Sequence, residues 1–539
     1  MTLTLDRRQL IVTGTLGLAA LSFPGIALAQ GLTRTGFTHN VASGEPGATS
    51  MLLWTRYVPV SGDVATIRVE LSEAPDFARI AGGAEMTTGP WRDHTIKLTV
   101  TGLKPGTRYH YRFIAPDGTL SPVGRTKTLP TTARRLKIAV FSCSNIGFGW
   151  FGAYGHAAAG DCDLAYHLGD YFYEYGPGTY PVKAEMVDGR DMAPDHEALS
   201  LADYRLRYAS YRADPDLQAL HAAMPMLVAM DDHESANNSW EGGAQNHQSA
   251  TEGAWSLRKA AAIQAWREWM PVSDLPYASY DVGGLATIYR TDTRLAARSA
   301  ELVVTAAMRS DPAALRRFRE GAWRDPARTM MGSTQEAWLA AAMAASARAG
   351  RGWQIVGFGT NMGYLQTPED ALNWLPPTAP EWARTGISDR VTLGRANLPQ
   401  DMDSWGGFPA ARARFLAAAQ GLAADTIVLS GDSHNAWSFQ LATGGRAAAV
   451  EFGVQSVTSG GIEGATRGVD PARIARSLVA GNRELAWCDT SRRGYMVTTL
   501  TPERATNEWL FWDSVATRSL TPTGAKIATV ARGTRRIAV

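Results

Sequence analysis

Several hydrophobic stretches of this sequence end in side chains that could bind metal ions or activate water. The metal-ligand candidates are Cys143, Asp170, Tyr173, Asp231, Asp232, Asp432 and His434. Asp170 is also a candidate for catalysis, together with His233. Carboxylates that are buried together repel one another and are costly unless a cation compensates their charge. A bound cation also makes a nucleophile from water near neutral pH, so the pattern predicts a multi-metal hydrolytic site.

The types of donor atom indicate which ions such a site would hold. A phenolate and a thiolate, here from Tyr173 and Cys143, together suit a highly charged ion such as Fe³⁺. Carboxylate and amide oxygens suit Ca²⁺. Each residue also has a structural alternative, because Asp170 could cap a helix, Tyr173 could pack in the core and Cys143 could be a small buried hydrophobe.

Spacing along the chain indicates which candidates can act together. Asp432 and His434 lie two positions apart, so both can reach one site from the same side of a strand end. Asp231 and Asp232 are adjacent and would point in opposite directions in an extended chain. One of them can therefore bind metal while the other caps or orients a neighbour.

The elements that must position these groups follow from the hydrophobic pattern. Near-continuous apolar runs, typical of strands buried on both faces, occupy residues 136–141, 164–168, 225–230, 353–358 and 426–430. Helical stretches are predicted at residues 201–223, 251–270 and 335–349. This alternation favours an α/β domain, in which ligands bind at the carboxyl ends of the strands. The candidate side chains occur at those ends.

Residues 34–130 form a different kind of module. Short β-branched or aromatic runs alternate there with Gly, Pro and Asp at spacings suited to a β-sandwich. The run from Leu103 to Tyr109 resembles the corner of fibronectin type III-like domains, in which the tyrosine hydroxyl bonds to backbone. Nothing in this module is predicted to be catalytic.

The N-terminus resembles an export signal. Residues 1–29 contain the pair Arg7-Arg8, an apolar run and small residues before Gln30. The paired arginines favour the twin-arginine export machinery, which carries folded proteins, over a general secretory signal or an uncleaved anchor. The predicted location is the periplasm or the outside of the cell. No later segment has the ~20 consecutive apolar residues of a membrane span.

Composition narrows the classes of function. The 539 residues carry a formal net charge of only +2, with no Lys or Arg run, which gives no electrostatic surface for nucleic acid. In an exported protein two of the three cysteines could pair, and Cys162 with Cys488 is one option that the sequence leaves open.

The motifs together resemble the PhoD-like alkaline phosphatase/phosphodiesterase family of the metallophosphatase superfamily. The matching segments are Phe37-Thr38-x-x-Val41-Ala42-Ser43-Gly44-Glu45-Pro46, Phe141-Ser142-Cys143-Ser144-Asn145, Gly169-Asp170-x-x-Tyr173, Asp231-Asp232-His233-Glu234, Asp292-Thr293-Arg294 and Gly431-Asp432-Ser433-His434. The resemblance implies an α/β (α+β) fold, with the fibronectin-like sandwich followed by a metallophosphatase domain at residues 135–520. Central β-sheets would be flanked by helices, and residues 521–539 would form a C-terminal tail.

The resemblance also implies roles for the residues. Asp170 would bridge Fe³⁺ and Ca²⁺, a metal-bound hydroxide would attack a phosphate ester, and His233 would assist the leaving group. The chain departs from the family pattern at Met230, in the segment Gly359-Thr360-Asn361, at Gly406 and at Ser273. These departures put the substrate preference in doubt, and Asn361 as a ligand. Arg294 is expected to form a structural ion pair.

Two other functions stay open on the sequence. A phospholipase D-like phosphodiesterase would use the same site on diesters. A non-catalytic surface-binding module on the same scaffold would be expected to have broken ligand motifs, whereas those motifs are intact here.

Overall fold

The structure is a computed structural model that describes residues 34–539. The export signal predicted for residues 1–29 lies outside the described residues. Among the helices of residues 34–539, none is long and apolar enough to cross a membrane.

Strands dominate the architecture. They are β1 Gly36–Gly44, β2 Ser50–Val58, β3 Ala65–Ser72, β4 Gly82–Thr88, β5 Thr95–Thr101, β6 Arg108–Ile114, β7 Gly124–Lys127, β8 Leu136–Phe141, β9 Leu164–His167, β10 Met226–Val228, β11 Ala278–Val282, β12 Ala286–Arg290, β13 Trp353–Phe358, β14 Asp425–Ser430, β15 Ala436–Thr443, β16 Arg446–Gly453, β17 Leu485–Asp489, β18 Arg493–Leu500, β19 Arg504–Trp512, β20 Gly524–Ala531 and β21 Ile537–Ala538. All five predicted runs of the α/β domain form strands, namely β8, β9, β10, β13 and β14.

Two large sheets carry the site. The ten-stranded sheet has the order β21-β20-β19-β18-β8-β9-β10-β1-β2-β5, with β8, β9 and β10 parallel. The seven-stranded sheet has the order β11-β12-β13-β14-β16-β15-β17, with β12, β13, β14 and β16 parallel. Residues 521–539, set apart above as a tail, supply β20 and β21 at one edge of the ten-stranded sheet.

Helices cover the outer faces. They are α1 Gly152–Ala159, α2 Leu201–Arg212, α3 Pro215–Ala223, α4 Ser249–Glu252, α5 Trp255–Trp269, α6 Ala306–Arg309, α7 Pro312–Glu320, α8 Gly332–Arg348, α9 Glu381–Arg395, α10 Pro409–Gln420, α11 Ile462–Ala465 and α12 Pro471–Gly481. Val140 and Tyr166 of one sheet pack with Ile355 and Leu429 of the other, so the two sheets face each other across a shared apolar core. Further cores lie between each sheet and its helices, which confirms central sheets flanked by helices.

The N-terminal module shares a sheet with the rest of the protein. Strands β1, β2 and β5 extend the ten-stranded sheet, and β1 joins it beside β10 through Gly44 and Met226. A separate sheet of order β4-β3-β6-β7 packs on these strands. The Tyr109 hydroxyl accepts a hydrogen bond from the Lys104 backbone N–H at 2.9 Å, as the corner motif predicts. The fibronectin type III likeness itself stays a prediction.

Two predicted helices are interrupted. Residues 201–223 form α2 and α3 instead of one helix, because Asp214 caps a new helix at Pro215 and proline cannot continue the preceding hydrogen-bond ladder. Residues 251–270 are divided at Gly253, whose φ of +85° is not helical. The helix predicted at 335–349 begins earlier, at Gly332.

The cysteines do not pair within residues 34–539. Cys143, Cys162 and Cys488 all have free thiols. Cys162 packs against the core beside the ten-stranded sheet, whereas Cys488 belongs to the core outside the seven-stranded sheet. The bridge left open above is therefore absent from this structure.

Candidate metal centre

The candidate ligands lie where the carboxyl ends of the two central sheets meet. Cys143 follows β8, Asp170 follows β9 and Asp231 follows β10 of the ten-stranded sheet. Asp432 follows β14 of the facing seven-stranded sheet. Parallel strands that end at one edge bring distant segments of the chain together, as the α/β pattern predicts.

Glycines let the two sheet edges approach. A Cβ atom on Gly359 would lie 2.0 Å from Oδ1 of Asp231, and one on Gly431 would lie 2.1 Å from Oγ of Ser142. Any larger residue would therefore push the loop after β13 or β14 away from the ten-stranded sheet. These two glycines allow donors from both sheets to share one site.

Four of the candidate ligands have a left-handed backbone. The φ angles are +60° at Cys143, +54° at Asp170, +64° at Asp432 and +62° at His434. Such a conformation is uncommon outside glycine and costs about 1–3 kcal/mol at each residue. It aims each side chain into the junction between the sheets, and strain of this kind tends to cluster at functional sites.

The donor atoms form three overlapping groups, in each of which all atoms lie within 4.8 Å of one another. The groups are Cys143 with Asp170 and His434; Asp170 with Asp232 and His233; and Asp170 with Asp231, Asp232 and Asp432. Asp170 belongs to all three. Its carboxylate can therefore contact two ions at once, which is the role that the motif resemblance implies.

Tyr173 lies against the first group, in contact with both Asp170 and His434. The Tyr173 hydroxyl lies 3.1 Å from Oδ2 of Asp170 and 3.0 Å from Nε2 of His434. Nδ1 of His434 lies 2.6 Å from the carbonyl oxygen of Gly460, to which it donates a hydrogen bond. With the proton on Nδ1, the lone pair of Nε2 can bind a metal ion. Burial lowers the pKa of His434 to about 3, so its ring is neutral, as a metal ligand requires.

The buried anionic donors need a cation. Burial raises the pKa of the Cys143 thiol and of the Asp170 carboxyl well above their ordinary values, and in each case neighbouring acidic groups add to the effect. Bound metal stabilises the ionised forms of such groups. The mixture of thiol, phenol, imidazole and carboxylate donors fits a metal centre, and Cys143, Asp170, Tyr173 and His434 have the donor types that suit Fe³⁺.

A buried arginine supplies part of the compensating charge. Nε and Nη2 of Arg294 donate to the two oxygens of Asp231 at 2.7 and 3.1 Å, and Nη1 donates to Asp403 at 2.6 Å. Asp232 and Asp432 lie 3.6 and 3.7 Å from Nη2. The structural ion pair expected of Arg294 is confirmed, and it lies against the ligand groups.

The two adjacent aspartates have different partners, so they can have the different roles that their opposite directions predict. Both oxygens of Asp231 accept from Arg294, whereas Asp232 has one oxygen bonded to the Asn238 backbone N–H at 2.6 Å. The other oxygen of Asp232 is buried without a hydrogen-bond partner among the described residues. Asp232 is thus the better placed of the pair to bind a cation, and Asp231 anchors the arginine.

His233 is held by a residue that the sequence analysis missed. Its Nδ1 lies 2.6 Å from Oε2 of Glu174, which is fully buried and also accepts from the Asn237 backbone N–H. Burial lowers the pKa of His233, but the carboxylates of Asp232 and Glu174 outweigh it and hold that pKa well above its ordinary value. These two carboxylates favour the protonated form of His233, which lies at the edge of the ligand groups.

Asn361 is a further residue of interest. It is 3% exposed, and neither its amide nitrogen nor its amide oxygen has a partner within residues 34–539. It lines the same small cavity as Asp432 and His434. Its residue type put Asn361 in doubt as a ligand in the sequence. Its unpaired amide oxygen, however, is the kind of ligand atom that Ca²⁺ prefers.

Most of the chain matches known proteins. Residues 138–509 match the PhoD-like phosphatase model, and residues 25–130 match the model of the PhoD-like phosphatase N-terminal domain. The chain is 31% identical to alkaline phosphatase D of Bacillus subtilis, in an alignment that covers 93% of this chain and 83% of that protein.

Solved structures agree with this placement. A structure of PhoD superposes with a TM-score of 0.75 and 27% identity, covering 94% of this chain and 92% of that one. A purple acid phosphatase from yellow lupin seeds shares the fold, with a TM-score of 0.54 and 13% identity over 93% of this chain and 75% of its own. The resemblance found in the motifs is confirmed: the chain belongs to the PhoD-like phosphatase family, and it is a phosphate-ester hydrolase.

Proposed function

We propose that this protein is an exported, metal-dependent phosphatase that uses Fe³⁺ and Ca²⁺ side by side. The observation that carries the proposal is the position of Asp170 in all three donor groups. Cys143, Tyr173 and His434 would hold iron with Asp170, while Asp232 and Asp432 would hold calcium with it. When bound, such ions lower the pKa of a water molecule and neutralise phosphate oxygens.

The chain's own residues would orient the reaction. Tyr173 packs against His233 with ring centroids 4.1 Å apart, so the imidazole has little freedom to turn. Glu174 fixes the Nδ1 side of that ring. His233 would then give a proton to the leaving oxygen.

Hydrolysis of phosphodiesters is a second candidate, favoured by the shape of the surroundings. The cavity of about 350 Å³ beside Asp432 shares Gly460, Gly461 and Ala465 with a groove of about 1000 Å³. The groove gives space for a second ester group. Assays with a monoester, a bis-ester and a phospholipid would separate this candidate from a strict monoesterase.

Export is supported by the arginine pair at positions 7 and 8 and by the buried centre. A site assembled from both sheets forms only in the folded chain, and the twin-arginine route carries folded proteins.

Metal removal tests the proposal. We expect treatment with EDTA and a strong ferric chelator to lower the rate of p-nitrophenyl phosphate hydrolysis more than about a hundredfold, because the donors alone cannot activate water. Adding back iron and calcium should restore it, and elemental analysis of the untreated protein should find both. Full turnover by protein shown to be free of metal would rule the proposal out.

Changing Glu174 to Gln tests the role of His233. We expect Glu174→Gln to lower kcat by about 10–100-fold, the usual cost of losing a partner that orients a catalytic or ligating histidine. Esters of weakly acidic alcohols should lose more than p-nitrophenyl phosphate, since their leaving oxygen needs the proton more. Steady-state kinetics with both esters measures the difference.

The matched control is Glu197→Gln. Glu197 accepts from the same Asn246 side chain as Glu174 and pairs with Arg258, but it does not bond to His233. An equal loss for both esters in Glu174→Gln, or the same loss in Glu197→Gln, would show that Glu174 serves only the fold.

A further inference from the structure

The cavity beside the metal centre is lined by a basic residue that the proposed chemistry does not use. Asp432 and His434 line this cavity of about 350 Å³, and so does Arg390 of α9. Pockets that hold small organic ligands span roughly 300–1,000 Å³, so the cavity has room for a group beyond the reacting phosphate.

Arg390 is the one arginine or lysine that lines this cavity within the described part of the chain. It is exposed, and it forms no ion pair or side-chain hydrogen bond with any of residues 34–539. The arginines of the neighbouring groove differ, because Arg467 pairs with Glu185 and Arg493 pairs with Glu463. Among the arginines of residues 34–539 that line the cavity or the groove, Arg390 alone has a guanidinium without a partner.

A structural role for Arg390 would need an acidic partner. One candidate is Asp401, which lines the same cavity and whose pKa is raised by burial and lowered in part by the charge of Arg390. Asp401 does not pair with it, however, and one of its oxygens accepts from the Asp403 backbone N–H at 2.9 Å. The guanidinium is therefore available to an anion that enters the cavity.

We propose that Arg390 is a specificity-determining residue that binds a second anionic group of the substrate. The preferred substrates are then phosphate esters whose leaving group carries a carboxylate or another phosphate. The metal centre at Asp432 and His434 would hold the reacting phosphate, while the planar guanidinium of Arg390 pairs with the second anion in the same cavity. This inference rests on the proposed function.

Two aryl phosphates that differ only in one carboxylate test the idea: phenyl phosphate and 4-carboxyphenyl phosphate. For the metal-loaded protein, Arg390→Ala should lower the ratio of kcat/KM for the charged ester to that for the neutral ester by about fivefold, as expected for a partly exposed ion pair. The change should be mainly in KM of the charged ester. Arg390→Lys should keep most of the preference, and added salt should weaken it in the wild type.

Arg467→Ala is the matched control, since it removes an exposed arginine from the adjoining groove. It should leave the ratio unchanged. An equal effect of Arg390→Ala on both esters would overturn the inference, because it would place Arg390 at the reacting phosphate or in the fold. A wild-type protein inactive on both esters would instead overturn the proposed function, and this inference with it.

Discussion

Asp170→Asn should abolish phosphate-ester hydrolysis while leaving the fold intact. We expect kcat/KM for p-nitrophenyl phosphate to fall by at least about a thousandfold, because a neutral amide cannot bridge two cations as the carboxylate can. Iron and calcium content should fall together, since Asp170 belongs to both proposed ligand groups. Elemental analysis and steady-state kinetics on the same preparation measure both effects.

The stability of the variant separates loss of metal from loss of structure. Asp170 is 1% exposed, and burial raises the pKa of its carboxyl well above the ordinary value. Burial thus penalises the ionised carboxyl, and an amide of the same shape avoids this penalty, so the metal-free variant should unfold at no lower temperature than metal-free wild type.

Asp163→Asn is the control for Asp170→Asn. Asp163 also lies next to β9, but at its other end, where it pairs with Lys127. It should keep normal metal content and turnover. Normal iron and calcium in Asp170→Asn would refute the shared-ligand geometry, even if activity were lost.

The strands that carry the site could be predicted because each is a short apolar run that ends in polar residues. Strands β13 and β14 match the predicted runs 353–358 and 426–430 to within one residue. Their burial on both faces requires continuous hydrophobic sequence, which is a local signal. The donors at their ends follow from the rule that ligands bind at carboxyl ends.

The shared sheet of the N-terminal module could not be predicted in this way. The contact of β1 with β10 joins Gly44 to Met226, and no local pattern encodes a pairing between segments so far apart. The interruption between α2 and α3 does have a local signal, because Asp214-Pro215 is a typical helix start. The helical periodicity of residues 201–223 as a whole led instead to the prediction of one helix.

Within the site, residue types were predictable and their partners were not. Glu174 follows Tyr173 directly, yet nothing in the sequence shows that it turns to His233. Asp231 and Asp232 could be told apart only when the position of Arg294 was known. Partners that come from distant loops depend on the tertiary fold, whereas ligands at strand ends depend on the strands.

Arg294→Met should destabilise the metal-free protein by about 3–5 kcal/mol, the cost of leaving buried charges without their partner. Arg294 has no exposed side-chain surface, and it binds Asp231 and Asp403 directly. Methionine fills similar space but cannot compensate either carboxylate. Urea denaturation of metal-free protein, compared with wild type, measures the loss.

Calcium should restore part of the stability that Arg294→Met loses. It should also stabilise this variant more than it stabilises the wild type. Without the guanidinium, the carboxylates of Asp231, Asp232 and Asp432 are left to be neutralised by a bound cation. A ligand that binds only the folded state stabilises it by RT ln(1 + L/Kd), where L is the free ligand concentration, and this stabilisation increases with affinity. The calcium-dependent rise in Tm should therefore be larger for Arg294→Met, in which no guanidinium competes with calcium for the carboxylates.

Arg467→Met shows what an ordinary ion pair contributes. Arg467 pairs with Glu185 at the surface, and such pairs are worth about 0–1 kcal/mol. That variant should therefore stay within about 1 kcal/mol of wild type and show the wild-type response to calcium. If metal-free Arg294→Met proved as stable as the Arg467 variant, the carboxylates at the sheet junction would not depend on a neighbouring positive charge. The case for a cation among them would then lose its physical basis.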